Sequence, residues 1–394
     1  MKILVANIGS TSFKYRLFDM AAGRQLARGW VLTIGSPESA CGVEIGDHKH
    51  ESVRHVDDVV GAVHACLKEL TDPDHGCLKD AREVSAIAFK AVHGGRMTGV
   101  QRINAEVLAA MEEVSIAAPA HNPVYIRAMR SLSEKMPEMP LIAAFETDFH
   151  RTIPDRSRYY AAPYEWAEKA LVLRHGFHGA SHRYIAQRTA ELLGRSDLRI
   201  ISCHLGGSSS MCAIRNGMSV ATSMGFSPQT GLPQNNRIGD FDPFALPLIM
   251  RQTGKSLEEV LNMLATQGGL LGLSGLSFDM GELEAAAAKG NQRAQLAMDM
   301  FSTSVRHYLG AYMVEMGGVD VIVMTGGIGE WRPKFRAKVC EGLEELGIAL
   351  DPQVNQCARG EAKISAAASR VQVWVVPTNE ELIVARQAAG LLKG

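Results

Sequence analysis

The order of apolar and polar positions divides the chain into strands, helices and turns before any composition is considered. Within residues 2–7 an apolar run stops at Asn7, residues 13–18 alternate, and Gly9, Ser10, Thr11 and Ser12 lie between. That pattern predicts a β-hairpin with a glycine-and-serine tip. Residues 56–70 and 104–114 carry helical spacing, and "VSAIAF" (84–89) and "PLIAAFET" (140–147) read as inner strands of a mixed sheet. "GASHRYIAQRTAELLG" (179–194) is an amphipathic helix with Gly194 as its stop. "LRIISCHLGG" (198–207) and "DVIVMTGGIGE" (320–330) are strands running into glycine, so a "TGGIG" loop is expected. Residues 371–392 read as a strand, a proline turn and a closing helix.

Length and composition narrow the class. At 394 residues the chain exceeds what one core usually serves, so two domains are expected. Lys and Arg number 41 against 42 Asp and Glu, which argues against a nucleic-acid surface. No apolar run approaches the ~20 residues that span a bilayer, so no membrane partner is expected. A strand begins at once, and no signal peptide is visible. Seven scattered cysteines without a Cys-x-x-Cys pair fit a reduced, cytoplasmic protein.

The opening hairpin has a counterpart near mid-chain. Residues 3–18 align with residues 200–215: an apolar run, a polar residue (Asn7, His204), a glycine (Gly9, Gly206), serines, and a second apolar run. This points to a duplicated α/β domain. Glycine lets backbone N–H groups approach an anion, hydroxyls add donors, and Lys14 adds charge. Two such tips suit a polyphosphate, although no Walker motif is present.

The motif series resembles the acetate kinase family of the sugar kinase–actin–Hsp70 superfamily, over nearly the whole chain. It runs "NIGSTSFK" (7–14), "VHGG" (92–95), "HNP" (121–123), "FETDFHRTIP" (145–154), "GFHGASH" (176–182), "HLGGSSS" (204–210), "TSMGFSP" (222–228), "RIGDFDP" (237–243), "GLLGLSGLSFDM" (269–280), "TGGIGE" (325–330) and "PTNEELIVAR" (377–386). The resemblance implies duplicated ribonuclease H-like α/β domains with the active site in the cleft between them. The expected domains are 1–149, joined by a C-terminal helix 384–394, and 150–383, the latter binding nucleotide and dimerising. It implies reversible, direct in-line phosphorylation of a short-chain carboxylate by ATP with Mg²⁺, in a homodimer. Closure around the substrates would exclude water.

The resemblance also assigns residues. Arg237, Lys90, Glu146, His178 and His121 take catalytic positions. Arg237 suits a phosphoryl group because its fork binds two oxygens at once. Ser10, Ser12, Lys14, His204, Gly206, Gly207, Asp279, Met280, Gly326, Gly327 and Gly329 fall at nucleotide positions. Asn7 and Glu380 fall at magnesium positions, and Val92, Ala120, Phe177 and Pro228 line the acceptor pocket.

Departures concentrate at these positions. Lys90 replaces an arginine and Glu146 an aspartate. Asp148, two residues on, falls either on the same side of a strand as an acidic partner of Glu146 or past the strand end in solvent. Gly207 replaces an asparagine, and Asn235, Asn236 and Ile238 surround Arg237 in place of the usual Gly-Thr-Arg-Ser-Gly pattern. Ala120 replaces a leucine, which removes about 2 kcal/mol of burial and predicts an acceptor larger than acetate. Met280 and Gly281 stand where Phe-Arg is usual, so the arginine covering the base is missing, while Asp279 and Glu282 still read as a helix cap with a capping box. Trp331 either stacks on a base or packs. Two alternatives remain open: a phosphotransferase with another donor, such as pyrophosphate, or another acid acceptor, and a nucleotide-binding homologue without turnover.

Overall fold

The structure is a computed structural model that describes residues 1–119 and 121–394. Ala120, and with it that part of the expected acceptor pocket, lies outside the described residues. The chain divides into two compact units, Met1–Asp148 with Asn379–Gly394, and Phe149–Thr378.

The first unit is built on eight strands: β1 (Lys2–Ile8), β2 (Ser12–Asp19), β3 (Arg24–Leu32), β4 (Ser39–Ile45), β5 (His48–Arg54), β6 (Val84–Ala91), β7 (Val100–Arg102) and β8 (Leu141–Phe145). Their order is β5-β4-β3-β2-β1-β6-β8-β7. β1, β6 and β8 run parallel, and the other neighbours pair antiparallel. The opening hairpin forms as expected, with Asn7 opposite Lys14. Strands β3 to β5 were not anticipated. The edge strand β5 reads HKHESVR and is largely exposed, so it has no apolar face to signal it. Ile87, Phe89, Met111, Met129 and Leu132 fill the core between sheet and helices.

The second unit repeats the plan with β9 (Arg199–Leu205), β10 (Ser209–Arg215), β11 (Met218–Thr222), β12 (Val321–Thr325), β13 (Ala362–Lys363) and β14 (Gln372–Val375). Its order is β11-β10-β9-β12-β14-β13. An antiparallel β9–β10 hairpin lies beside parallel β12 and β14, as β1–β2 lies beside β6 and β8. This shared strand pattern matches the expected duplication. The 25-residue helix Gln292–Met316 buries Ala294, Ala297, Phe301, Val305 and Leu309 along one stripe against this sheet.

The expected helices form at Val59–Leu70, Ala105–Glu113, Gly179–Leu193 and Glu380–Lys393. Gly194 ends the third in the left-handed conformation, as anticipated. One expectation is corrected: Gly326–Trp331 is a short helix rather than a loop. Its glycine-rich sequence carries little helical signal. Among the described residues no helix is long and apolar enough to cross a membrane.

Candidate active site

Parallel strands end with their carboxyl ends on one side, where α/β sheets place ligands. In the first unit β1, β6 and β8 bring Asn7, Lys90 and Glu146 to that edge. The Glu146 N–H donates to the Ala91 carbonyl at 2.8 Å, and the residue is buried. Glu380 begins the helix Glu380–Lys393, where the dipole favours a carboxylate, and Lys90 Nζ donates to its Oε2. Burial alone would depress the Lys90 pKa, but Glu380 and Glu146 outweigh it and hold the amine above its ordinary value. Tyr125 completes the cluster. Its hydroxyl donates to Asn7 Oδ1 at 3.2 Å and accepts from the Ile8 N–H at 3.3 Å. Tyr125 escaped the sequence reading because its helix, Asn122–Lys135, shows only an apolar stripe.

Of the two readings of Asp148, the structure takes the one that puts it past the strand end, though not in solvent. β8 stops at Phe145, and Asp148 opens a 3₁₀ turn, Asp148–Thr152. It is nevertheless buried, with Oδ1 near Gly99. His121 immediately precedes the helix Asn122–Lys135, and Val92 is half-buried just past β6. At the hairpin tip the Gly9 N–H donates to the Ser12 carbonyl at 2.8 Å, and Ser10 is exposed. Lys14 shares with Asn7, Arg16, Arg28 and Trp30 a cavity of about 440 Å³ on the sheet.

In the second unit β9 carries His204 to the equivalent edge. His178 stacks on it, with ring centroids 4.2 Å apart and planes at 25°. His178 Nδ1 bonds Ser210 Oγ at 2.8 Å, and His204 Nδ1 bonds Ser181 Oγ at 2.8 Å. Behind them the buried His182 bridges Ser202 Oγ (2.8 Å) and Ser210 Oγ (2.9 Å). His178 itself has φ 55°, an uncommon conformation for a non-glycine residue and one concentrated at functional positions. His182 lay within a recognised motif, but its bridging role depends on strands distant in sequence.

Arg237 is half-buried. Its Nη1 donates to Ser208 Oγ (3.2 Å) and Gln234 Oε1 (3.1 Å), and among the described residues no carboxylate pairs with it. Burial pulls its pKa below the usual guanidinium value. Gln234 Nε2 donates to the carbonyl of the buried Pro228 at 2.7 Å, so one amide ties Arg237 to a residue of the expected acceptor wall. Phe177 is buried, and its carbonyl is held by His150 Nε2 at 2.9 Å.

A cavity of about 350 Å³ is lined by Gly206, Gly207, Asn235, Asp279, Met280, Gly327, Trp331 and Arg332, among others. Gly206, Gly207, Asp279, Met280 and Gly327 are the expected nucleotide residues that it brings together; Ser10, Ser12, Lys14 and His204 are not in its lining. Gly326 and Gly329 support it from behind: the Gly326 N–H donates to Glu330 Oε1 (3.0 Å), and the Gly329 carbonyl accepts from the buried Arg336 (2.9 Å). Asp279 caps the helix Met280–Ala288 through the N–H groups of Gly281 and Glu282. The reciprocal bond of a capping box is absent among the described residues. Trp331 is 59% exposed at the cavity, with Arg359 5.7 Å from its ring centroid, so core packing is excluded.

Two substitutions find spatial counterparts here. A Cβ on Gly207 would lie 3.2 Å from Asn235 Nδ2, so an amide from another segment sits beside the residue lacking one. A Cβ on Gly281 would meet the Arg332 guanidinium at 2.5 Å. A guanidinium therefore covers position 281 even though the chain has glycine there.

The acetokinase family model matches residues 2–386. The chain belongs to the acetokinase family. It is 42% identical to acetate kinase of Geobacillus kaustophilus (strain HTA426), over 99% of each chain. Among solved structures it is similar to Porphyromonas gingivalis acetate kinase, with 38% identity, TM-score 0.90 and 99% of each chain covered. It is also similar to a propionate kinase from Francisella tularensis subsp. tularensis SCHU S4, with 34% identity, TM-score 0.89 and 98% of each chain covered. These relationships bear out the expected family and the duplicated α/β fold.

Proposed function

We propose that this carboxylate kinase of the acetokinase family transfers the γ-phosphoryl group of ATP reversibly and in line to a short-chain carboxylate, with Mg²⁺. The carrying observation is Arg237: a half-buried guanidinium on neutral acceptors, with no carboxylate beside it among the described residues. A desolvated cation of that kind takes an anion, and its fork suits phosphoryl oxygens. Phosphoryl transfer needs positioning and charge neutralisation more than covalent chemistry. His178, oriented by Ser210, donates to the transferring group, and the glycine-lined cavity holds the nucleotide. Arg332 beside Gly281 supports a nucleotide donor over pyrophosphate.

Asn7, Glu146 and Glu380 offer hard oxygen donors of the kind Mg²⁺ accepts, and these residues would hold it. When bound, the ion offsets negative charge on the phosphates. Lys90 donates to Glu380 and holds its carboxylate in place. Ala120, where leucine is usual, favours an acceptor larger than acetate.

The test traps acyl phosphate as the hydroxamate, with ATP and Mg²⁺, across acetate, propionate, butyrate, glycolate and lactate. The expected result is a clear signal whose kcat/KM peaks above acetate. Acetate giving the highest kcat/KM would remove the enlarged pocket. Absence of signal with every acid, while ATP still binds, would remove the kinase reading. A signal with pyrophosphate but not ATP would reassign the donor.

A further inference from the structure

The first unit carries a second concentration of imidazoles that the proposed transfer does not use. His48, His50 and His75 each present a ring nitrogen, and the three nitrogens lie within 4.8 Å of one another. His48 and His50 alternate along β5, so both project from the same side of that edge strand. His75 comes from the turn after the helix Val59–Leu70. Its ring stacks on His48 (centroids 4.5 Å apart) and on His50 (5.6 Å).

His75 is oriented as metal-binding histidines usually are. Its Nδ1 lies 2.9 Å from Asp72 Oδ1, and that oxygen is itself fixed by the N–H groups of Asp74 (2.9 Å) and His75 (3.2 Å). In the neutral ring this bond keeps the proton on Nδ1 and leaves a lone pair on Nε2. Nε2 is buried, makes no hydrogen bond among the described residues, and lies 3.6 Å from Glu69 Oε2. A carboxylate holding one ring nitrogen so that the other faces the ion is the usual outer-shell arrangement. A buried nitrogen lone pair beside two further imidazoles has a clear use as a ligand.

We propose that His48, His50 and His75 form a binding site for a divalent transition-metal ion, with Zn²⁺ the best match and Asp72 the orienting residue. Three imidazoles select zinc, nickel or copper, whereas magnesium prefers oxygen. Zinc–nitrogen distances of about 2.0–2.1 Å require the nitrogens to close to roughly 3.4 Å. His48 can supply this movement, because it is exposed and follows the two-residue tip Gly46–Asp47 of the β4–β5 hairpin. The ion would tie the sheet's edge strand to the turn after the helix, and a water would complete its coordination.

Full-length protein freed of metal with a chelator is titrated with ZnCl₂ by calorimetry. It is compared with His50→Ala/His75→Gln, Asp72→Asn and the exposed-site variant His48→Ala. Wild type should bind one zinc per chain beyond any event shared with the double variant. Asp72→Asn should weaken that event by roughly 10–100-fold. Cobalt(II) should give wild type the visible absorption of a four-coordinate nitrogen site, and the double variant none. Circular dichroism checks folding; should the double variant not fold, His48→Ala and the wild-type cobalt spectrum decide. Equal zinc binding in wild type and every folded variant, or no cobalt absorption, would overturn the proposal. The cluster would then be a histidine stack held by Asp72 and Glu69 alone.

Discussion

The rings of His178 and His204 stack at 4.2 Å although 25 residues separate them, and each is anchored through Nδ1 by a serine, Ser210 and Ser181 respectively. Anchoring Nδ1 fixes each ring's orientation and with it the direction of its Nε2. Ser210→Ala removes one hydrogen bond from each of His178 and His182. Because ~1 Å of misplacement can cost on the order of 100-fold, kcat should fall between 10- and 100-fold while the KM for ATP changes little. Steady-state kinetics check this, and Ser210→Thr, which keeps a hydroxyl, should recover part of the loss. Equal kcat in Ser210→Ala and wild type would show that His178 orientation is set elsewhere.

Lys90 stands between two carboxylates, Glu380 and Glu146. Lys90→Met removes the cation and leaves two acidic groups close together at low exposure. Breaking a fully buried pair costs ~3–5 kcal/mol. Lys90 retains 23% of its side-chain exposure, so a loss on the order of 2 kcal/mol is expected in urea denaturation. Lys90→Arg should keep stability nearer to wild type and separate the charge from the shape of the cation in kcat.

Arg332 covers Gly281 at the nucleotide cavity. Arg332→Ala should raise the KM for ATP about 5- to 10-fold, as expected for the loss of a partly exposed stacking cation, and leave kcat at saturation near wild type. The double change Gly281→Arg/Arg332→Ala places a guanidinium on the other segment and should restore part of the affinity. An unchanged KM in Arg332→Ala would move base recognition to other walls of the cavity, Trp331 first.

Burial pushes the His150 pKa down to about 4 from 6.5, against the opposing bond to the Phe177 carbonyl. The unfolded chain therefore takes up a proton as pH falls through 6.5, while the folded protein resists until about 4. The stabilisation is complete above pH 6.5 and is lost as pH drops from there towards 4, by about 3 kcal/mol in total. Denaturation of wild type and His150→Gln at pH 7.5, 5.5 and 4.5 checks this. The variant, lacking the titrating ring, should lose less stability on acidification, and a constant gap across pH would contradict the assignment.

Periodicity alone determined the inner strands, the amphipathic helices and the paired glycine-and-serine hairpins, because burying one face imposes a repeat of two or 3.6 on a linear chain. The motif order assigned the family, and with it Asn7, Lys90, Glu146, His178, Arg237 and Glu380. Strands β3 to β5 were less legible; β5, at the sheet edge, buries no residue and so carries no apolar face to read. The short helix Gly326–Trp331 was misread, and the burial of the turn at Asp148 was not foreseen, because neighbours in space, not local propensity, settle such segments. Only the tertiary structure brought Tyr125 to Asn7, His182 between two serines, Gln234 between Arg237 and Pro228, and Arg332 over Gly281. All but the Gln234 bridge join residues far apart along the chain, and side-chain contacts of this kind leave no periodic trace in the sequence.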